Sequence, residues 1–535
     1  MTRSTGCGGR HHPELEKRGP GVDQSLLASV LTFAAYFVVM VGIGLWVYKR
    51  TVSLSDFVLG GRRLNSWVAG LSANASDFSG WLLLGLPGAI YLSGLGEAWI
   101  AVGLALGFAG SWILIAGRLR VYTERATDAR SGGESDSLTL SSYLENRFGD
   151  RTGLLRGVSA LLILAFYLFY VASGLVAMGG LFEQVFGLSS AVAIVAGVSI
   201  VVLYTFLGGF LAVSYTDVVQ AVMMWIALLV VPIVAIVAIT GDAERGTGGL
   251  SSVLGGFQGQ GALDTGAVLA PVVVISGLAW GIGYLGQPHI LARFMGIRSV
   301  GDVPRAGAVS VAWAVSAMTL AVVMGFAGVA YFGFDSELDN AENVFPSLIQ
   351  ALMNPWVAGL LLAAILAAVM STADSQLLVA SSALTEDGYR AFLKRDASPL
   401  TLVWVSRLAV VAVAVAAAGI ALSGNNTVMD LVGYAWAGFG AGFGPVILLS
   451  LYWKRMTWTG ALAGMVGGGA TAVIWDVLDE KVLETGLYAM VPAVVVSVAA
   501  IFVFNGLAKA TDGMAEDFDR VDAEYRGAKQ RAGSA

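Results

Sequence analysis

The chain has 535 residues, 56% hydrophobic and only 13% charged, with a mean hydropathy of +0.75 and a formal net charge of −6. Soluble domains carry about 25% charged residues, so a water-soluble globular fold is excluded. No basic stripe interleaved with aromatics occurs, so nucleic acid is not expected as a partner. The apolar residues arrive in runs of about 20, the length that crosses a hydrocarbon core roughly 30 Å thick. An all-α polytopic membrane protein is predicted.

Residues 1–25 form a polar tail that lacks the apolar core of a signal peptide. Its "CGGRHH" (Cys7 to His12) suits no zinc spacing, and Cys7 is the only cysteine, so no intrachain disulfide forms. Thirteen spans follow, near 26–48, 67–93, 97–117, 157–180, 187–207, 218–240, 266–288, 307–332, 355–384, 402–422, 428–453, 458–476 and 487–508. Twenty Lys and Arg fall in the alternate loops that hold Arg62 and Arg63, Arg118 to Arg156, Arg293 to Arg305, Arg390 to Arg407, and Lys454 and Arg455. The intervening loops hold two, Arg245 and Lys481. The positive-inside rule therefore places the N-terminus outside and the C-terminus in the cytoplasm, although the N-terminal tail is itself basic. The stretches 127–137 and 246–261 read as flexible loops, and the acidic tail from Asp512 as amphipathic at best and solvated.

Span 2 breaks its own apolar pattern. In "LSANASDFSGWLLLGLPG" (71–88) it places Ser76, Asp77, Ser79 and Gly80 almost consecutively. A carboxylate at the middle of a membrane helix costs roughly 2.5–3.5 kcal/mol on insertion scales. Span 7, "SGLAWGIGYLGQPHI" (276–290), carries Gly277, Gly281, Gly283, Gly286 and Pro288, which weaken a helix. The two lie five spans apart and enter from opposite sides, as expected if spans 2–6 and 7–11 are repeats of opposite topology. Interrupted helices at matching places in two halves mark a transporter's central site, because backbone groups freed at a break become ligands. Span 9 adds "AAILAAVMSTADSQLLVASS" (363–382), where Ser371, Thr372 and the Ala368 carbonyl offer the neutral oxygens a hard monovalent cation prefers. Trp280 and Tyr284, four residues apart, would share a face if the local turn is α-helical.

At these residues the sequence resembles the sodium/solute symporter family, and within it the carriers of proline. The resemblance rests on "LGGR", "SDFSGWLLLGLPGAIYLSG", "AGRLR", "YTFLGGFLAVSYTDVVQA", "WGIGYLGQPHILARFM", "NPWVAGLLLAAILAAVMST", "SSALTEDGYRAFL" and "YAWAGFGAGFGPV", and covers nearly all of 26–508. It implies a LeuT-like five-plus-five inverted repeat, with 26–48 as an extra first span, 67–240 and 266–453 as the repeats, 458–508 as two last spans, and 509–535 as a polar cytoplasmic tail. It implies a sodium site at the carbonyls of Ala75, Phe78 and Ala368 and the hydroxyls of Ser371 and Thr372, with Asp77 as the essential carboxylate. For proline it implies Ser79, Gly80, Trp81, Tyr170, Trp280, Tyr284 and Pro288. Phe78 stands where the relatives have Met, and Asp374 where they have a small polar residue. The expected activity is sodium-coupled uptake of L-proline across the plasma membrane. No cofactor beyond the coupling ion and no obligatory protein partner is expected.

Three other classes weigh against this. A carrier for another solute, such as pantothenate, a sugar or another amino acid, shares the same elements. A sodium-responsive sensor would normally carry a further domain, whereas only a short polar stretch follows Phe504. An enzyme would need a nucleophile and base, and for His11, His12 and His289 no partner is evident.

Overall fold

The computed structural model describes residues 21–48, 53–125, 127, 136–241, 265–333, 338, 340–423, 427–510 and 512–534. Cys7, His11, His12 and the 246–261 loop lie outside them. Among the described residues no strand forms, only an isolated parallel bridge between Leu64 and Ile297. That is the outcome hydrocarbon surroundings impose, because each segment must satisfy its own backbone. Among the described residues ten helices are long and apolar enough to cross a membrane by length and composition.

The helices named below are, in chain order, α1 (Gly21–Tyr48), α2 (Ser66–Ala75), α3 (Leu86–Ser93), α4 (Ala98–Ser111), α5 (Leu154–Phe186) and α6 (Ser190–Gly241). The second half holds α7 (Pro271–Ala279), α8 (Pro288–Gly296), α9 (Val303–Phe332), α10 (Val344–Leu352) and α11 (Pro355–Ser382). Then come α12 (Pro399–Ser423), α13 (Val428–Tyr452), α14 (Trp458–Leu478), α15 (Met490–Phe504) and α16 (Asp512–Ser534). Helix α6 takes in both predicted spans 5 and 6, joined at a kink where Gly209 has φ +60° and ψ −171°, backbone that glycine adopts most readily.

Helix α11 is the axis of the bundle, packed against α1, α5 and α6. Helix α13 lies against α5, α14 and the 280–285 turn. At the perimeter large apolar side chains stay open, Ile113 at 74% and Val503 at 71% exposure, which suits a lipid-facing surface. Inside, glycines let backbones touch: a Cβ on Gly281 would lie 2.1 Å from the Gly103 carbonyl oxygen of α4.

Two expectations are corrected here. Arg293, counted among loop residues, is fully buried within α8, because a new helix opens at Pro288 where the expected span ends. The tail from Asp512 is not simply solvated. Met514, Phe518, Val521 and Tyr525 recur at four- and three-residue spacing, the apolar stripe of an amphipathic helix, and Val521 is 1% exposed. The acidic face of α16 pairs Asp522 with Arg118, Asp519 with Lys454 and Glu524 with Arg125.

Candidate functional site at the two helix breaks

Helix α2 ends at Ala75, and helix resumes only at Gly80. The Asp77 and Phe78 amides both donate to the Asn74 carbonyl, at 3.0 and 2.8 Å. The Ala75 carbonyl instead accepts from two side chains of α11: Ser371 Oγ at 2.7 Å and Thr372 Oγ1 at 3.3 Å. Ser371 Oγ also lies 3.0 Å from the Ala368 carbonyl of its own helix. Four oxygens from Ala75, Ala368, Ser371 and Thr372 thus converge between α2 and α11, all in residues 2% exposed or less. Phe78 is buried beside them, its ring stacked on Trp313 at 5.3 Å.

Asp77 sits in the break, 0% exposed. Its Oδ2 accepts a 2.6 Å hydrogen bond from the Tyr284 hydroxyl of the second interrupted span. Its backbone carbonyl accepts from Trp81 Nε1 at 2.9 Å. Its Oδ1 has no hydrogen-bond partner and faces His289 Nε2 at 3.7 Å, beyond hydrogen-bond length. His289 therefore does have neighbours, contrary to expectation. The Tyr167 hydroxyl accepts from the His289 amide at 2.8 Å and lies 3.1 Å from Nδ1.

The second break runs through Trp280–Leu285, a 3-10 turn, then Gly286 and Gln287, before Pro288 opens α8 as its first residue. This explains one misjudged relationship. In a 3-10 turn residues i and i+3 eclipse, so Trp280 and Tyr284 do not share a face. Tyr284 turns to Asp77 and to Phe108, with ring centroids 4.7 Å apart. Trp280 turns to Tyr488, stacked at 4.8 Å and 9°. Trp436 of α13 spans the two, 5.1 Å from Tyr284 and 6.3 Å from Trp280, and its Nε1 donates to the Trp280 carbonyl at 2.7 Å.

Ser79 Oγ accepts from the Trp81 amide at 3.3 Å. Gly80 lies against α5 and α11, where an added Cβ would come 2.8 Å from Ala177 and 3.4 Å from Val369. Tyr170 of α5 meets His289 and Trp436 edge-on, and its hydroxyl is buried without a hydrogen-bond partner. Ser79, Gly80, Trp81, Tyr170 and Tyr284 thus gather round the first break and Asp77. Trp280 lies one aromatic layer away, and Pro288 contributes by opening α8.

One turn beyond the oxygen cluster lies a charged network that the sequence reading passed over. Arg293 Nη2 donates to Asp217 Oδ2 at 3.1 Å and to Ser375 Oγ at 2.6 Å, and Nε donates to Ser72 Oγ at 3.1 Å. Ser375 Oγ in turn donates to Asp374 Oδ1 at 3.2 Å. The available signal was the four-residue spacing of His289 and Arg293, both on one face if α8 continues, and an acid at the head of the span-6 apolar run. Among the described residues no group of three or more His, Cys, Asp or Glu is placed to hold a metal ion.

The profile of the Sodium:solute symporter family matches residues 57–468. The chain is 47% identical to the sodium/proline symporter of Salmonella typhimurium over 507 residues, covering 93% of this chain and 97% of that protein. It is 46% identical to the sodium/proline symporter of Escherichia coli with the same coverage. With the high-affinity proline transporter of Bacillus subtilis it shares 46% identity, covering 88% and 96% of the two chains. In three dimensions it resembles a Na+-coupled sialic acid symporter in a substrate-bound outward-open state, with a TM-score of 0.74 at 20% identity over 90% of this chain and 99% of that one.

Proposed function

The chain belongs to the sodium:solute symporter family, and we propose that it is a multi-pass plasma-membrane carrier that takes up L-proline together with sodium. The observation that carries the reading is the meeting of the two breaks. The carbonyl freed at the end of α2 is held by the hydroxyls of Ser371 and Thr372, while the adjacent Asp77 is bonded to Tyr284 across the bundle. Five-plus-five inverted repeats over 67–240 and 266–453 account for the pair of breaks, within thirteen spans whose N-terminus is outside and C-terminus cytoplasmic.

Sodium takes the oxygens of Ala75, Phe78, Ala368, Ser371 and Thr372. To bind it, the two hydroxyls rotate their protons away from the Ala75 carbonyl and present lone pairs to the ion. Asp77 supplies the negative charge that makes the site cation-selective. Proline then places its carboxylate on backbone N–H groups freed near Ser79 and Gly80. Its ring and secondary ammonium lie among Trp81, Tyr170, Tyr284 and Trp280, by apolar burial and cation–π contact, with Pro288 fixing where α8 begins. The ion couples to the solute because it braces the same broken segment that offers those N–H groups. One sodium moving through about 100 mV gives roughly 2.3 kcal/mol, and a tenfold sodium gradient about 1.4 kcal/mol. Together they support accumulation of roughly several hundred-fold for one solute per ion.

The test is a competition panel in proteoliposomes. Sodium-dependent uptake of labelled proline is challenged with excess proline, pantothenate, glucose and other amino acids. Suppression by proline alone is the expected result. Suppression chiefly by another solute would move the assignment to that solute within the same family.

A further inference from the structure

A cavity of about 1000 Å³ opens at the end of the bundle bearing Glu97, Asp430, Asp476 and Glu480, the outer end in the orientation proposed above. Its floor includes Trp280, Gly433 and Tyr488. Directly behind that floor lie Trp436, Tyr284 and Asp77, each 1% exposed or less. One aromatic layer therefore separates the vestibule from the pocket proposed for proline.

Tyr488 completes that layer from the segment before α15, outside both proposed repeats. Its ring lies flat on Trp280, and three hydrogen bonds fix its position. The hydroxyl donates to the Gly433 carbonyl of α13 at 2.8 Å. Its amide donates to Ser276 Oγ of α7 at 3.1 Å. The neighbouring Leu487 carbonyl accepts from Trp475 Nε1 of α14 at 2.8 Å. Tyr488 thus ties α7, through its amide, to α13, through its phenol, across the top of the second break, where packing alone would demand only an apolar ring. Gly433 borders the pair: a Cβ there would lie in ordinary contact, 3.5 Å from Trp280 and 3.9 Å from Tyr488.

We propose that Tyr488 is a further residue of the substrate path, the movable half of an outer lid whose fixed half is Trp280, and that a small zwitterionic solute passes between vestibule and pocket only when this stacked pair parts. The lid rests on the carrier reading given above. Breaking it means giving up one stacked aromatic contact and one neutral hydrogen bond, few enough interactions to open and close during each transport cycle.

Two measurements test it, one without any solute. Gly433, Gly440 and Gly444 of α13 all face the second break, so Ala437, four residues after Gly433, shares that face beneath the floor and is 0% exposed. In a Cys7→Ser background, Ala437→Cys is alkylated from outside by a membrane-impermeant maleimide. With Tyr488→Ala the rate should rise roughly tenfold, and with Tyr488→Phe, which keeps the stack and loses the tether, by a smaller factor. Equal rates in all three proteins would overturn the lid. The second measurement is release of labelled proline from purified protein at saturating sodium. Association and dissociation should both quicken with Tyr488→Ala, with half-saturating sodium unmoved. Parent rates in both variants would contradict the proposal, as would loss of both ligands with Tyr488→Ala alongside parent rates with Tyr488→Phe. If the parent protein binds no proline, the substrate assignment fails while the alkylation result still decides the lid.

Discussion

The Tyr284 hydroxyl donates to Asp77 Oδ2 at 2.6 Å, and this contact joins the interruptions of two spans 207 residues apart in sequence. It makes the same tyrosine a wall of the proposed proline pocket and a partner of the carboxylate proposed to tune the ion site. Tyr284→Phe keeps the ring and removes the donor. A hydrogen bond to a charged group contributes about 1.5–3 kcal/mol. Without it Asp77 Oδ2 loses its donor and the first break loses its tie to the second. Half-saturating sodium should rise about tenfold or more. Trp280→Phe touches Trp436 and Tyr488 instead and should weaken proline with little effect on sodium. Identical shifts in the two variants would dissolve the distinction.

The hydroxyls on α11 give a complementary split. Ser371→Ala and Thr372→Ala each remove one proposed ligand that now donates to the Ala75 carbonyl. Half-saturating sodium for uptake should rise much more than half-saturating proline measured at saturating sodium. An unmoved sodium dependence in both would mean that these hydroxyls only pin α2 to α11.

Both breaks were legible in the sequence, because Ser, Asp, Gly and Pro interrupt apolar runs whose period is otherwise unbroken. The Ser371–Thr372 pair was legible for the same reason. What escaped was contact across long separations. Trp436 and Tyr488 fall inside the expected spans 428–453 and 487–508 with nothing to single them out, since nothing local shows that α13 and the segment before α15 close over Trp280. Arg293 read as a loop residue because the expected span 7 ends at 288, and its partner Asp217 lies 76 residues away. The Trp280–Tyr284 relationship failed for a geometric reason, an α-helical spacing applied to a 3-10 turn.

A second buried cluster bears on stability. Arg156 binds Glu145 at 3.0 Å, Glu386 at 3.0 Å and Asp387 at 2.8 Å, with its side chain 11% exposed. Removing one partner of a buried ion network costs about 3–5 kcal/mol, since the remaining charges stay buried and unpaired. Arg156→Ala should lower the thermal unfolding midpoint in detergent markedly. Glu386→Gln, which leaves the arginine two acids, should lower it less. Equal, small shifts would show that the cluster is well hydrated.

Glu342, outside the spanning helices, supplies a pH dependence. It accepts from the Val428 and Met429 amides at 3.3 and 3.2 Å, at the start of α13. Burial nonetheless pushes its carboxyl above the ordinary glutamate value. A carboxyl with a raised folded pKa binds more protons folded than unfolded across that interval, so it favours the fold at acid pH and loses that contribution as pH rises through the raised value. Thermal midpoints of Glu342→Gln and parent protein should therefore diverge in favour of Gln as pH rises through this range, then run parallel. A difference constant across pH would contradict the sign.

The central claim, that sodium and proline move together through the joined breaks, is tested most directly in proteoliposomes given an inward sodium gradient. Labelled proline should overshoot its equilibrium level transiently, with potassium in place of sodium giving only slow equilibration. Asp77→Asn, reconstituted to the same density, should abolish the overshoot. Proline accumulation that persists at full size in Asp77→Asn, or that proceeds equally on a potassium gradient, would contradict the account.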